Sequence, residues 1–585
     1  MITYDQWGRE ISRSGYPDGW GQPNEVEETF EYDYLGNLIQ YTDPENNQSQ
    51  YQYDPLNRLI KVIDPLNQET GYDYDRLGNV SQVKQSEGLK DFITTKGYDE
   101  RGLLTVKTEP EGQTVSYQYD ENGLPVVVTD ATGKITTMEY DNYNRLQEMS
   151  AGPDTLTYYY HSLGGVERTA VYSSQSGAGE ALDYQYYSTG LTSQRKIGNY
   201  AVDFQYDDVG NRIQITDPFD QTVNYQYDSL NRIDTITTDS KAFSYEYYDD
   251  GMIKAVNYPN GLRTEYTYDN INRLTELTNK MGANILSEFS YAYDKNSNII
   301  AVTANGQITT YQYDPLNRLT GIKRPNGEEI NYSYDSRGNR SKGSVTTIDP
   351  ETFKAGEFAY NSWDELASFT GSGSTAYSYD PEGLRTEKDS GTSSTRYYCD
   401  DNGLVIAESD GTGQVSAQNI WGHKALARQV NGTYYYYLYN GHGDVIQVID
   451  EAGNTVNSYS YDEWGNILSS QEQIVNPMKY AGEYYDEETG LYYLRARYYD
   501  PTIGRFISKD SYEGDITNPL SINPYTYCSS NPINRWDPSG HFDVVQLVSG
   551  FKSLIDTLNS ILSNIDSDSN RSYSMDYNSV ICSTV

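Results

Sequence analysis

The sequence predicts an all-β protein made of antiparallel β-hairpin repeats, followed by a short helix near the C-terminus. Tyr-Asp pairs recur about every 21 residues, for example at Asp33, Asp54 and Asp75. A Gly or Asn follows three residues after most of these Asp residues, where a turn needs a left-handed conformation. No helical periodicity of apolar residues occurs before residue 540. These observations indicate a repeat array rather than several ordinary globular domains.

Each repeat contains two strand patterns and two turn patterns. Residues 50–53 alternate so that two tyrosines share one face, and residues 59–63 form a second β-rich run. Asp54 and Asp64 begin the two turns. One unit is too small to bury its own face, so the copies must stack into a continuous sheet that twists and coils. Local physics leaves an extended solenoid and an enclosing spiral equally open.

Composition excludes several functional classes. The chain has 61 tyrosines against 12 phenylalanines, so many buried hydroxyls must find partners. Its net charge of −41 argues against nucleic acid or an anionic membrane surface as the partner of the main body. Such a charge suits a soluble extracellular surface, and it could also attract a basic cargo. The three cysteines and four histidines have no disulfide or zinc-site spacing, and we expect no cofactor or metal.

The N-terminal residues contain no signal peptide, and no apolar run is long enough for a transmembrane helix. We therefore expect either export by a machine that needs no such signal, or a chain that is the C-terminal piece of something longer. The expected location is secreted or at the cell surface.

Residues 479–541 differ from the repeats because they are dense in aromatic residues and punctuated by Gly and Pro. Two carboxylates lie here in similar settings, Asp510 in RFISKD and Asp537 in RWDPSG. Carboxylates that share a site cannot both ionise cheaply, and such a pair can activate a water against a peptide carbonyl. Asp-Pro turns also occur elsewhere in the chain, so a structural role as a buried turn or ion pair remains open.

The block contains the motif GLYYLRARYYDPTIGRFISKD, followed by NPYTY, NP and DPSG. These motifs together resemble the core domain of bacterial Rhs/YD-repeat proteins. That family includes wall-associated Rhs proteins and the cocoon-forming B and C components of Tc toxins. The resemblance implies a hollow shell of spiralling hairpins. It divides the chain into a shell wall at 1–478, a core domain at 479–541 and a variable tail at 542–585.

The same resemblance implies an internal aspartyl protease that acts only on its own chain. Asp510 and Asp537 match the two catalytic aspartates, and Arg505 in GRF matches the nearby arginine. The cut is expected between His541 and Phe542. Two places depart from the family pattern: DSYEG stands where relatives often have DPxG, and His541 replaces the usual Leu.

The tail has two parts. Apolar residues at three- and four-residue steps predict an amphipathic helix over 543–565, and the polar segment after it is predicted to be disordered. The helix packs on or inside the shell, or it is a peptide effector that binds a membrane or a partner, or it is a truncated toxin. The scarcity of Lys and Arg on its polar face argues against membrane binding.

Three functions remain. The first is the encapsulating shell of a bacterial polymorphic toxin, with its own tail as cargo and with an N-terminal shell or translocation component and an immunity protein as further partners. The second is a non-catalytic adhesin or glycan-binding surface protein with rows of exposed aromatic residues. The third is a stand-alone hydrolase, for which no phosphate-loop, serine-hydrolase or zinc-protease motif is present.

Overall fold

The computed structural model describes residues 1–19, 25–162, 164–173, 177–341, 356–371, 373–541 and 543–545. Across these ranges the chain forms no α-helix, and its strands pair antiparallel with their neighbours in sequence. Most of the strands belong to a 31-stranded meander, a 12-stranded meander or a four-stranded sheet, in that order along the chain. The predicted all-β repeat architecture is confirmed.

The first sheet contains β1 to β31, in order Ile2–Tyr4, Glu10–Gly15, Val26–Tyr32, Leu38–Thr42, Gln48–Tyr53, Leu59–Ile63, Glu69–Tyr74, Val80–Glu87, Lys90–Tyr98, Leu104–Thr108, Thr114–Tyr119, Pro125–Thr129, Ile135–Tyr140, Leu146–Ala151, Asp154–Tyr160, Val166–Ser173, Gly177–Tyr186, Thr192–Ile197, Tyr200–Tyr206, Arg212–Thr216, Thr222–Tyr227, Ile233–Thr238, Lys241–Tyr247, Ile253–Asn257, Leu262–Tyr268, Leu274–Met281, Asn284–Tyr293, Ile299–Ala304, Gln307–Tyr313, Leu319–Lys323 and Glu329–Asn331. A small pair follows, β32 Ser333–Tyr334 and β33 Arg340–Ser341. The second long sheet contains β34 to β45, at Glu357–Tyr360, Leu366–Thr370, Ser374–Tyr379, Arg385–Asp389, Ser394–Cys399, Val405–Asp410, Val415–Trp421, Ala425–Val430, Thr433–Tyr439, Val445–Ile449, Thr455–Tyr461 and Ile467–Glu472. The remaining strands are β46 Tyr484–Asp486, β47 Leu491–Leu494, β48 Arg497–Asp500, β49 Arg505–Phe506, β50 Arg535–Trp536 and β51 Val544–Val545. Short 3₁₀ helices lie at Tyr480–Gly482, Pro519–Ile522 and Cys528–Ser530.

The Tyr-Asp markers form the hairpin turns that the sequence predicts. Asp54 is typical: its Oδ1 accepts the backbone N–H groups of Leu56 and Arg58 at 2.8 and 3.0 Å. Its Oδ2 accepts Nε of Arg58 at 2.7 Å. Asn57 takes the left-handed conformation, with φ +62°. The Asp side chain thus satisfies the turn's own donors, which is why Asp recurs there.

Tyrosine hydroxyls connect neighbouring hairpins. The hydroxyls of many marker tyrosines donate to a backbone carbonyl at the start of a strand in the preceding repeat. Examples are the pairs Tyr74–Leu59, Tyr119–Leu104, Tyr140–Pro125, Tyr227–Arg212, Tyr247–Ile233 and Tyr313–Ile299. Arginines of one turn also stack on the marker tyrosine of the next, as Arg232 does on Tyr247 at 4.3 Å. Phenylalanine cannot donate such a hydrogen bond, which accounts for the excess of tyrosine.

The long sheet coils back on itself. Turns that are far apart in sequence contact each other along the coil, and the sequence separation of these contacts falls from 253 to 230 and then to 139 residues. The pairs are Asn270 with Pro17, Lys134 with Asp364, and Arg324 with Glu463. A falling separation means that the coil tapers towards its C-terminal end.

The tapered end is filled by direct packing. Apolar side chains between Val202 and Leu262 on the first sheet pack against those between Ile406 and Ile449 on the second. The sheet β46–β49 packs on the 12-stranded sheet through residues such as Tyr437, Tyr484 and Tyr498. The block that begins near residue 479 therefore lies against the wall of the coil. Within the described ranges, no helix is long and apolar enough to span a membrane.

The start of the tail differs from the sequence-based expectation. Val544 and Val545 form β51, which pairs with Arg535 and Trp536 of β50. The helix predicted from residue 543 therefore does not begin there, because the backbone of these two residues pairs with β50 instead. The rest of the predicted helix and the segment after it lie outside the described residues.

Candidate active site at the DPSG segment

The hairpin turn between β47 and β48 holds the DPSG segment by its backbone. Arg495 donates through Nε to the carbonyl of Pro538 at 2.9 Å. The N–H of Ala496 donates to the carbonyl of Ser539 at 3.2 Å. The Nε of Arg497 donates to the carbonyl of Gly540. Three consecutive residues thus bind three consecutive carbonyls, which fixes the register of the chain just before His541.

Gly540 is required where this segment passes the turn. Its φ is +79°, and a Cβ at this position would lie 2.5 Å from the carbonyl oxygen of Leu494 and 3.0 Å from the N atom of Arg497. Backbone atoms cannot move aside as a flexible side chain can. The glycine therefore allows the close approach on which the three hydrogen bonds depend.

Asp537 is buried and oriented by the turn that it begins. Its Oδ1 accepts the N–H groups of Ser539, Gly540 and His541 at 3.1, 2.7 and 3.1 Å. Burial raises the pKa of Asp537 to about 6, although Arg497 and these N–H donors lower it. Asp537 can therefore carry a proton at a pH well above the ordinary carboxyl range.

Asp510 lies on the loop after β49. Its N–H donates to the carbonyl of Pro524 at 2.9 Å, and its Oδ1 accepts the N–H of Tyr512 at 3.0 Å. Glu513, from the same DSYEG stretch, forms ion pairs with Lys96 and Lys107 on the coil wall at 2.7 and 2.9 Å. The DSYEG sequence thus ties the Asp510 loop to the wall.

Those two lysines determine the charge of Glu513. Burial raises the pKa of Glu513, but Lys96 and Lys107 outweigh that effect and lower the pKa to about 2. Glu513 is therefore ionised across the physiological range, and its anchor to the wall persists.

Arg497 contacts both carboxylates. Its Nη2 lies 2.7 Å from Oδ2 of Asp510 and 3.6 Å from Oδ2 of Asp537. The two Oδ2 atoms are thus no farther apart than 6.3 Å, the sum of these distances. One water that reaches about 3.2 Å to each side can contact both oxygens at that separation. The guanidinium also stacks on Phe506 at 3.6 Å and donates to the carbonyl of Pro524 at 3.0 Å. Arg497 therefore holds the two carboxylates close together, and its contacts with Phe506 and Pro524 fix its own position.

His541 completes the arrangement. Its Nδ1 lies 3.1 Å from Oδ1 of Asp510, while its N–H contacts Oδ1 of Asp537. Beyond it, Asp543 accepts hydrogen bonds from Ser529 at 2.8 Å and Arg535 at 2.9 Å. The chain is therefore anchored on both sides of the bond between residues 541 and 542.

A cavity of about 480 Å³ opens in front of these groups. The core contributes Arg497, Asp510, Asp537 and His541 to its lining, and the coil wall contributes residues such as Tyr41. Within the described residues, no group of three His, Cys, Asp or Glu side chains is placed to hold a metal ion. The site therefore presents two carboxylates and a guanidinium to one side of a cavity that is large enough to hold water.

The structure brings Asp510, Asp537 and His541 together, whereas Phe542 lies outside the described residues. Arg505 lies elsewhere: its guanidinium is 5.3 Å from the ring of Tyr525. The arginine that reaches both carboxylates is instead Arg497. The sequence signal for it was the LRAR run, because a two-residue turn places Arg497 at the start of the returning strand.

Comparison with known proteins identifies the family of this chain. A family model described as the teneurin YD-shell matches residues 1–208 and 260–533, and an RHS repeat model matches residues 206–242. The chain belongs to the teneurin YD-shell family. It is a Rhs/YD-repeat protein, as the motifs predicted.

Curated relatives match only part of their own length. The tRNA3(Ser)-specific nuclease WapA of Bacillus spizizenii is 35% identical over 240 residues, which are 39% of this chain and 10% of the nuclease. Toxin protein Tse5 of Pseudomonas aeruginosa is 35% identical over 102 residues, which are 17% of this chain and 7% of Tse5. The chain thus spans about a tenth or less of these relatives.

Solved structures show the fold over nearly the whole chain. The crystal structure of TcdB2-TccC3 has a TM-score of 0.67 at 16% identity, and covers 92% of this chain and 36% of that one. The Tc holotoxin pore of Photorhabdus luminescens has a TM-score of 0.65 at 16% identity, and covers 94% of this chain and 36% of that one. The coiled wall is therefore a β-cocoon fold.

Proposed function

We propose that this protein is the encapsulating shell of a bacterial toxin system, and that it cuts its own chain between His541 and Phe542. The observation that carries this proposal is the contact of one guanidinium with both Asp510 and Asp537, beside a DPSG segment whose carbonyls are held in register. The toxin relatives and the Tc neighbours support the shell role. The released cargo is the chain that follows residue 541.

The reaction is a hydrolysis by two carboxylates in different protonation states. Asp510, which Arg497 contacts more closely, takes a proton from water, and the water oxygen bonds to the carbonyl carbon of His541. Asp537 gives its proton to the carbonyl oxygen. The intermediate then collapses: the C–N bond breaks, the nitrogen of Phe542 takes the proton held by Asp510, and a hydroxyl proton returns to Asp537. The products are a carboxyl group on His541 and a new amino terminus.

The anchors on both sides of the bond supply the positioning that such a reaction needs. Arg495, Ala496 and Arg497 bind the chain before the bond, and Ser529 and Arg535 bind Asp543 after it. Fixing the substrate beside the catalytic groups turns the reaction into an intramolecular step, which is worth several powers of ten in rate. The cut therefore takes place within one molecule and is independent of protein concentration.

Paired variants test the proposal. Asp510→Asn and Asp537→Asn each remove one acidic group while keeping size and most hydrogen bonds, so each is expected to leave the chain intact on a denaturing gel. Asp54→Asn is the matched control, because Asp54 also begins an Asp-Pro turn but lies on the wall. Continued cutting in both core variants, or loss of cutting in the control, would refute the assignment.

The wider system is part of the same proposal. A shell of this kind needs a further component that closes or delivers it and an immunity protein that protects the producing cell, and it acts at the cell surface or outside the cell. Co-purification of the full-length chain with proteins encoded beside it tests for these partners. An immunity protein is expected to bind the tail and not a chain truncated at residue 541.

A second candidate, a non-catalytic adhesin, is favoured by one feature of the wall. Aromatic side chains at some turn tips are strongly exposed: Tyr34 at 92%, Tyr143 at 80% and Trp7 at 70%. Exposed aromatic faces suit stacking on sugar rings. Replacing the three by alanine abolishes binding to immobilised glycans if this function holds, whereas the self-cleavage of the first proposal is unaffected by those changes.

A further inference from the structure

His541 contacts both carboxylates of the candidate site, at oxygens other than those that face Arg497. The N–H of His541 donates to Oδ1 of Asp537 at 3.1 Å, and Nδ1 of its ring lies 3.1 Å from Oδ1 of Asp510. The Oδ2 atoms of the two carboxylates face Nη2 of Arg497. Residue 541 therefore binds the Oδ1 atom of each carboxylate. The Oδ2 atom of each carboxylate faces Arg497, where the two Oδ2 atoms can approach one water.

The chemistry of this contact assigns a role to the imidazole. The proposed role of Asp510 as the base requires a carboxylate that only accepts hydrogen bonds, and in that role the hydrogen bond between the two residues is donated by Nδ1 of His541. Tyr512 donates its N–H to the same oxygen at 3.0 Å. Two donors on Oδ1 fix the plane of the carboxylate and direct Oδ2 towards Asp537. A leucine at 541 keeps the main-chain contact with Asp537 but has no donor for Asp510.

Other charged groups line the same cavity as the imidazole. The charged residues that line the cavity with His541 are Asp43, Arg497, Asp510, Arg535, Asp537 and Asp543. Arg535 is paired with Asp543 at 2.9 Å, and Arg497 faces the Oδ2 atoms of Asp510 and Asp537. Arg497 and His541 therefore bind different oxygens of Asp510 and do not compete for one acceptor.

We propose that His541 is a positioning residue for self-cleavage, and that its imidazole orients Asp510 while the residue itself stands immediately before the bond to be cut. This inference rests on the proposed self-cleavage. It gives a function to the position at which the chain departs from the leucine of the family pattern. The chain thereby supplies part of the catalytic geometry from the segment that it cuts.

Two substitutions at one position test the role. The full-length chain is synthesised in a cell-free system, and the appearance of the short fragment is followed over time. His541→Asn keeps a side-chain N–H near the position of Nδ1, so its rate is expected to stay within about threefold of wild type. His541→Leu loses that donor to a charged acceptor, and its rate is expected to fall by about tenfold or more.

Controls separate this role from folding and from the chemistry itself. His161→Leu removes an imidazole from a wall turn far from the site in sequence and is expected to leave the rate of cutting unchanged. If His541→Leu is cut as fast as wild type, or if His541→Asn is as slow as His541→Leu, the positioning role is overturned while self-cleavage stands. If the wild-type chain is never cut, or if Asp510→Asn and Asp537→Asn are still cut, the proposed function fails and the positioning role falls with it. Melting temperatures of all variants show whether a slow variant is merely unfolded.

Discussion

Asp510 and Asp537 have different surroundings although the same arginine contacts both. Asp537 is only 3% exposed, and its Oδ1 is surrounded by main-chain donors. Asp510 is closer to Arg497 and lies on a loop that the wall lysines anchor through Glu513. Two carboxylates in unlike environments can divide the acid and base roles between them.

Self-cleavage should therefore slow as the pH rises through about 6. Burial raises the pKa of Asp537 to about 6 from an ordinary value of 3.8, so the proton that this residue donates is lost above that pH. The same shift acts on stability: the folded state binds this proton more tightly, so its contribution to the free energy of unfolding is fully present below pH 3.8 and is lost as the pH approaches 6. Cutting rates measured from pH 4.5 to 8 check this. A rate that rises steadily across pH 6 would contradict the assignment of Asp537 as the acid.

Arg497 and Arg505 should differ sharply when each is replaced by alanine. Arg497→Ala removes a charge-assisted hydrogen bond to Asp510, typically worth about 1.5–3 kcal/mol, so cutting should slow by about 10- to 100-fold. Arg505→Ala removes a guanidinium that stacks on Tyr525 and should leave the rate within about twofold. A gel time course compares the two. Arg497→Lys keeps the positive charge and shows how much of the loss in rate comes from removing that charge. An equal loss of rate in both alanine variants would contradict the geometry.

Gly540→Ala should stop the cut without melting the shell. The added Cβ meets the carbonyl oxygen of Leu494 at 2.5 Å, so the DPSG segment must move away from the turn that holds it. Gly112→Ala is the matched control, because Gly112 has a similar φ of +91° and no atom within 4 Å of the new Cβ. Fragment yield and melting temperature are measured for both. Normal cutting in the Gly540 variant would show that the register at residues 538–540 does not matter.

At the scale of the hairpin, the tyrosine hydroxyl is what joins one repeat to the next. Tyr439→Phe is expected to lower stability by about 0.5–1.5 kcal/mol, because the buried hydroxyl donates to the carbonyl of Ala425 at 2.7 Å. Tyr34 lies at a turn tip and is 92% exposed, so Tyr34→Phe is expected to leave the stability unchanged. Chemical denaturation midpoints of the two variants make the comparison. Equal midpoints would mean that the excess of tyrosine has another cause.

Sequence reasoning predicted the repeat unit well because its signals are local. Asp54 and Asn57 define a turn through bonds within five residues, so the pattern can be read without knowing the fold. The LRAR run indicates the turn that carries Arg497, but the contact of Arg497 with both carboxylates could not be predicted from local sequence. Arg497 reaches Asp537 only because a two-residue turn, the Asp510 loop and the DPSG segment converge in space. The strand at Val544–Val545 was missed for the same reason, since its partner β50 is fixed by the tertiary structure.

At the scale of the whole molecule, the wall, the core and the start of the tail form one connected structure. The coil tapers, the core block packs against its wall, and Glu513 ties the Asp510 loop to Lys96 and Lys107. After a cut at residue 541, the β50–β51 pairing and the bonds of Asp543 to Ser529 and Arg535 remain. The tail is therefore expected to stay associated with the shell until the wall opens.

Intact-mass spectrometry of the purified wild-type chain tests the central claim most directly. Under denaturing conditions the account predicts two species, residues 1–541 and 542–585, each with the mass of a simple hydrolysis product. Under native conditions it predicts one species that contains both fragments. A single full-length mass after long incubation at pH 5.5, or a cut at any other bond, would contradict the account.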